Sequence, residues 1–233
     1  MARPLLVIAG LGQGLGVALA GIFAEAGYDI AGLSRSGSAA AEADARARAG
    51  GGTFTHLLCD LTVHAEVTAA LEPVRKRVDV LIHAAHALLI RPFAETEPDE
   101  FEEVWRSGVL SAVTVARSIV PEMQARGHGV IIFSGATASV RGGAKFAAFA
   151  SAKFALRGMA QAMARELGPH GVHVAHVILD GLIDEPQTER RFGLATSTRM
   201  DPMAIAAAYL ALVRQPPSAW THEIDLRPGS ERF

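Results

Sequence analysis

The chain predicts a doubly wound α/β fold: a single domain over residues 1–233, with a parallel sheet of about seven strands and helices on both faces. Three observations carry this. Short β-type runs alternate with helical segments along the whole length. Several of those runs are apolar on both sides, as strands covered from two directions must be. A glycine-rich stretch directly follows the first run and opens the first helix.

The first run is PLLVIA (4–9), and the stretch AGLGQGLG after it holds Gly10, Gly12, Gly14 and Gly16 ahead of a helical pattern over 14–26. Glycines there allow a tight turn and a close backbone approach to a pyrophosphate, which the dipole and free amides of a helix N-terminus favour. In this strand–loop–helix setting the motif reads as the dinucleotide loop of a Rossmann fold. The second run, YDIAGLS (28–34), ends at Ser34 with Arg35 next. An acid there would bind the ribose 2′-OH of NAD, whereas an Arg accommodates a 2′-phosphate, so NADP(H) is expected over NAD(H).

A helix over 38–49 and the run TFTHLL (53–58) lead to CDLT, which holds Asp60 and Leu61. A helix over 64–75 and the run VDVLIH (78–83) lead to HAAH, His83 to His86. The pattern over 97–126 is helical with an expected break near Gly108, and GVIIFS (129–134) follows. Next come a helix over 146–168, the run VHVAHVIL (172–179), a helix over 201–213 and the run THEIDL (221–226). Residues 183–200 are polar, charged and aperiodic, and read as a mobile substrate loop over the carboxyl edge of the sheet.

One residue in the helix over 146–168 does not suit its place. In FAAFASAKFALRG, Lys153 shares a stripe with Phe149, Leu156 and Ala160, at steps of four, three and four. That stripe should face a core, where a lone ammonium is costly unless something pairs with it.

Composition excludes several classes of function. A net charge near −2 without long runs of one sign leaves no footprint for nucleic acid or an anionic membrane. The single Cys59 precludes an internal disulfide framework and suits a reducing compartment. The opening apolar run is too short for a signal peptide, and no stretch approaches the roughly 18 apolar residues of a membrane span. A soluble cytoplasmic protein is expected.

On the Gly loop, Asp60, the HAAH segment, Lys153, Asp180-Gly181 and the tail WTHEIDLRPG, the sequence resembles the short-chain dehydrogenase/reductase family over nearly its whole length. The resemblance implies cofactor contacts at Gly10, Gly14, Leu15, Gly16, Ser34, Arg35, Asp60, Leu61, Ala84, Ala85, Lys153, Gly181 and Ile183. It also implies a Ser–Tyr–Lys set, supported by an Asn, that moves a proton while the nicotinamide moves a hydride. Here the Tyr position holds Phe149, the Asn position Gly108 and the Ser position Ala136 or Gly135, while Lys153 is retained to reach a ribose hydroxyl. The Thr that follows the family's Pro-Gly falls on Glu185. Relatives of this type commonly pair through two helices, which implies a homodimer or homotetramer built on 109–126 and 146–168.

Phenylalanine moves no proton, so another group must. His86 and Ser134 are the candidates beside Lys153, because both follow strands at the carboxyl edge, with Asp180 and Asp184 nearby. No metal is expected: HAAH and HVAH space their histidines by three, which in extended chain puts them on opposite faces. A G-x-S-x-G elbow is absent, which argues against a hydrolase. Two readings follow, an NADP(H)-dependent carbonyl/alcohol oxidoreductase with altered proton delivery, and a non-catalytic NADP(H)-binding relative with a regulatory or partner role. The substrate itself is not written in the sequence.

Overall fold

The computed structural model describes residues 2–193 and 199–230. Seven parallel strands form one sheet in the order β3-β2-β1-β4-β5-β6-β7. They are β1 (Leu5–Ala9), β2 (Asp29–Ser34), β3 (Phe54–Leu58), β4 (Val78–His83), β5 (Gly129–Ser134), β6 (Val172–Leu179) and β7 (Glu223–Leu226). The order reverses between β1 and β4, where Val7 lies beside Ala31 on one side and Leu81 on the other. Connections leave in opposite directions from that point, which opens a crevice at the carboxyl ends of the two strands.

Helices cover both faces because the strands alternate two apolar surfaces. On one face α1 (Leu15–Glu25) packs against α2 (Ala40–Ala49) and α8 (Pro202–Val213), over Leu6, Ile8, Ile82, Ile132 and Val177. On the other lie α3 (His64–Leu71), α5 (Ser111–Arg126) and α6 (Ala147–Leu167), over Val7, Leu81, Ile131, Phe133 and Val174. Every residue of β6 is buried, His173 and His176 included. Pro73 stops α3 at Leu71, short of the expected 75, because proline supplies no amide to continue the ladder.

Two expectations need correction. The helical pattern over 97–126 does not break at Gly108. α4 (Pro98–Trp105) runs into α5 through a π-helical turn, Arg106–Leu110, which widens the helix without interrupting it. Segment 183–200 is not loop throughout. Ile183 pairs with Met200, and α7 (Pro186–Phe192) forms between them, with Pro186 at its first position and Gly193 at φ +57° closing it. Seven residues give too few turns to show a period. Residues 194–198 of that segment lie outside the described residues.

Candidate active site

A cavity of about 1620 Å³ opens along the carboxyl edge of the sheet. Its walls include Gly10, Leu15, Gly16, Ser34, Arg35, Asp60, Leu61, Ala84, Ala85, His86, Ser134, Lys153, Gly181 and Ile183. Topology brings these together from eight stretches of chain. Gly14 is buried instead, under the side chain of Glu185.

The nucleotide end is built on β1–β3. Gly10 has φ +94°, and a Cβ there would lie 2.5 Å from the Ala85 nitrogen, so the β1 and β4 turns touch through bare backbone. At the start of α1, Val17 and Ala18 donate to Gly12 and Gly14, while the Leu15 and Gly16 amides have no backbone acceptor among the described residues. Ser34 is committed within the protein: its hydroxyl donates to the Ser36 carbonyl at 2.6 Å and accepts from His56 Nε2 at 2.9 Å. Arg35 is exposed on the cavity rim, with its charge directed at Asp60. Asp60 Oδ1 accepts from the Thr62 amide and hydroxyl, each at 2.8 Å. Those bonds, with Arg35 and Arg106, hold its carboxyl below the usual range.

The chemical end is built on β4, β5 and α6. Lys153 is 4 % exposed, and Nζ donates to the Ser134 carbonyl at 2.8 Å. The buried ammonium therefore has a protein partner, contrary to the expectation that a ribose alone would satisfy it. Burial lowers its amine to about 8. The Phe149 ring lies 5.6 Å from Nζ, and His86 meets that ring edge-on at 6.0 Å. His86 opens to the cavity, and its Nδ1–H donates to the Ala84 carbonyl at 3.2 Å, leaving Nε2 without a partner among the described residues. Crowding by the cavity walls and the Lys153 charge hold its imidazole below the ordinary range.

Ser134 is placed differently from Lys153. Strand alternation gives it the face of Ile132, where its hydroxyl accepts from Tyr209 of α8 at 2.9 Å. Only its carbonyl meets Lys153. Asp180 accepts from the Thr137 hydroxyl and stands beside Arg141 and Arg227, while Asp184 pairs with Arg199 at 3.0 Å.

Sequence reasoning missed what three residues do, Glu185 having been named only as the position of the family's Thr. His83 is fully buried beside the site. Ser111 donates to the Ser107 carbonyl, so Ser111 Oγ must accept from His83 Nε2–H at 2.8 Å, and His83 Nδ1 is left without a partner among the described residues. Burial first, then Lys153, pushes its pKa to about 3 and keeps it neutral. Arg106, on the π-helical turn, reaches the nucleotide end near Asp60. Glu185 lies against Gly14. The parity of the VDVLIH strand could have turned His83 inward; no local signal marks the other two. Among the described residues, no group of three or more His, Cys, Asp or Glu is placed to hold a metal ion. Among the described residues, no helix is long and apolar enough to cross a membrane.

A glycine turn at a strand-order reversal, with a buried lysine in the same cavity, is the arrangement of a doubly wound α/β protein with its site at the carboxyl edge of the sheet. The family model for short chain dehydrogenases matches residues 5–191, and the chain belongs to that family of oxidoreductases. It is 29 % identical over 211 residues to the short-chain reductase protein NovJ of Streptomyces niveus, covering 89 % of this chain and 80 % of NovJ. A crystal structure of a short-chain dehydrogenase from Rhodopseudomonas palustris is 38 % identical, with a TM-score of 0.82 over 96 % of this chain and 98 % of that one. A metagenomic short-chain oxidoreductase in complex with NADP shares the fold at 23 % identity, with a TM-score of 0.85 over 98 % of each chain.

Proposed function

We propose that the protein is an NADP(H)-dependent oxidoreductase of carbonyl or alcohol substrates in which Lys153 and His86, rather than a phenol, handle the proton. The observation that carries this is the pairing of two titratable groups, pushed apart in pKa, around the Phe149 ring. The nucleotide end suits the cofactor, since its glycines carry no side chain of their own and the Leu15 and Gly16 amides have no backbone acceptor among the described residues, though the Glu185 side chain lies over Gly14. Arg35 favours a 2′-phosphate, while Asp60, Leu61, Ala84, Ala85, Gly181 and Ile183 form the remaining walls. When bound, the nicotinamide supplies or accepts the hydride. Lys153, with an amine near 8, is charged at neutral pH and donates a proton to a carbonyl oxygen as that oxygen gains charge. In the reverse direction the same amine, deprotonated, takes the proton of the alcohol back, while Nε2 of neutral His86 accepts a hydrogen bond from the substrate hydroxyl and orients it. Ser134 positions Lys153 through its carbonyl.

Segment 183–200, with α7, acts as the substrate strap, and residues 1–233 as one domain. Val113 on α5 and Phe154 on α6 are about 40 % exposed, and they support a symmetric homo-oligomer through these helices in a reducing cytoplasm. The deciding measurement is NADPH oxidation by purified protein over a broad carbonyl panel. Turnover above background supports the enzyme. NADPH binding without turnover by wild type or by a Phe149→Tyr variant supports the binding protein, which the loss of the phenol favours.

A further inference from the structure

Glu185 occupies an unusual place for an acid. It is the residue just before α7, and its side chain lies flat against Gly14 at the start of α1. A Cβ built on Gly14 would fall 2.3 Å from Glu185 Oε2 and 2.6 Å from Glu185 Cβ. A carboxylate can stabilise a helix N-terminus by accepting from its free amides. Glu185 does not: among the described residues its carboxylate makes no hydrogen bond and no ion pair, and α1 has no side-chain cap. It is half-buried, and burial raises its carboxyl with no cation to offset it. α7 is held in place on either side of the contact by the Ile183–Met200 bridge and by Arg191, which donates to the Leu88 carbonyl at 3.0 Å.

We propose that Glu185 is the specificity-determining residue of the phosphate end of this site. Its carboxylate and a ligand's pyrophosphate compete for the N-terminus of α1. A dinucleotide therefore enters only by turning Glu185 out, whereas an adenosine 2′-phosphate, held at Arg35 and Asp60, leaves Glu185 in place. This rests on the dinucleotide reading above. The cavity at its adenosine end thus binds on favourable terms, and the charge at Gly14 penalises only ligands that extend past it. α7 becomes coupled to the cofactor, since the residue that must move is the one just before it.

The test is calorimetric titration of wild type and Glu185→Gln, which keeps the side-chain volume and removes the charge, with NADPH and with adenosine 2′-monophosphate. Relief of one like-charge contact should tighten NADPH on the order of tenfold, with adenosine 2′-monophosphate unchanged. Equal or weaker NADPH binding by Glu185→Gln, with adenosine 2′-monophosphate still bound by both proteins, overturns the role of Glu185 alone. Tightening of both ligands to the same extent overturns it too, because the charge would then act over the whole cavity. Binding of neither ligand by either protein overturns the dinucleotide reading itself.

Discussion

Phe149→Tyr, combined with Ala136→Ser, adds two oxygens at the chemical end of the cavity and should increase carbonyl reduction. Phe149 is 8 % exposed and packs among Val104, Val109, Ala148 and Ala152, so the ring must stay where it is. The substitution changes the volume by a single oxygen. A hydroxyl buried without a partner costs about 1–3 kcal/mol. This one has the Lys153 ammonium beside the ring and the cavity in front of it, so most of that cost is avoided. The same ammonium lowers the phenol's pKa and fits it to proton transfer near neutral pH. A positioned general acid contributes about 10²–10⁴-fold, which corresponds to roughly 3–5 kcal/mol of barrier. The assay is the initial rate of NADPH consumption with a fixed carbonyl substrate, for wild type, both single variants and the double variant. A double variant that binds NADPH normally yet turns over no faster than wild type would refute the reasoning. The proton would then already be delivered as well as a phenol could deliver it, and His86→Ala and Lys153→Met would have to abolish the wild-type rate.

Four further outcomes are expected. Arg35→Ala should weaken NADPH by roughly ten- to a hundredfold, the worth of a charge-assisted hydrogen bond, and leave NADH nearly unchanged; equal losses for both in a titration would remove the 2′-phosphate reading. Lys153→Met should raise the melting temperature at pH 7. Burial lowers the amine from 10.5 to about 8, so the unfolded chain binds the proton more tightly and charging the folded one costs about 3 kcal/mol. About 1 kcal/mol of that gain is lost with the bond to Ser134, leaving a rise of about 5 °C. The cost is fully present below pH 8 and disappears as pH rises to 10.5, so wild type alone should gain stability over that window; parallel melting curves for the two proteins would contradict it. Carbonyl reduction should fall as pH rises through about 8, where Lys153 loses its proton; a rate–pH profile flat to pH 10 would exclude Lys153 as the acid. Phe154→Glu should leave monomers at micromolar concentration in light scattering, and an unchanged oligomer would move the interface off α6.

Much of the fold was legible because the strands of a doubly covered sheet advertise themselves: LLVIA and VHVAHVIL have no polar face to mistake for a surface. The stripe of Phe149, Lys153, Leu156 and Ala160 was legible for the same reason, and all four are buried. What periodicity could not show was a widened turn. Arg106–Leu110 keeps helical spacing on both sides, so the glycine within it read as a stop. The direction of the Ser134 hydroxyl depended on Tyr209, a partner 75 positions away. Parity with Ile132 gives the face, but nothing local says which face carries the lysine. Glu185 was likewise invisible as a neighbour of Gly14, because that contact joins the first helix to a segment near the end of the chain.

The seam at Gly10 and Ala85, where the β1 turn meets the β4 turn with no side chain of its own, stands between the nucleotide and chemical ends of the cavity. Arg35, Asp60 and the glycine turn descend from β1–β3, while His86, Ala136, Phe149 and Lys153 descend from β4 onward. Arg35 stands on the rim at the end of β2 and Phe149 on α6 at the other end of the cavity, so the free-energy effects of changes at 35 and at 149 should add rather than couple. The chemical end can in this way be altered one residue at a time while the glycine turn keeps its shape.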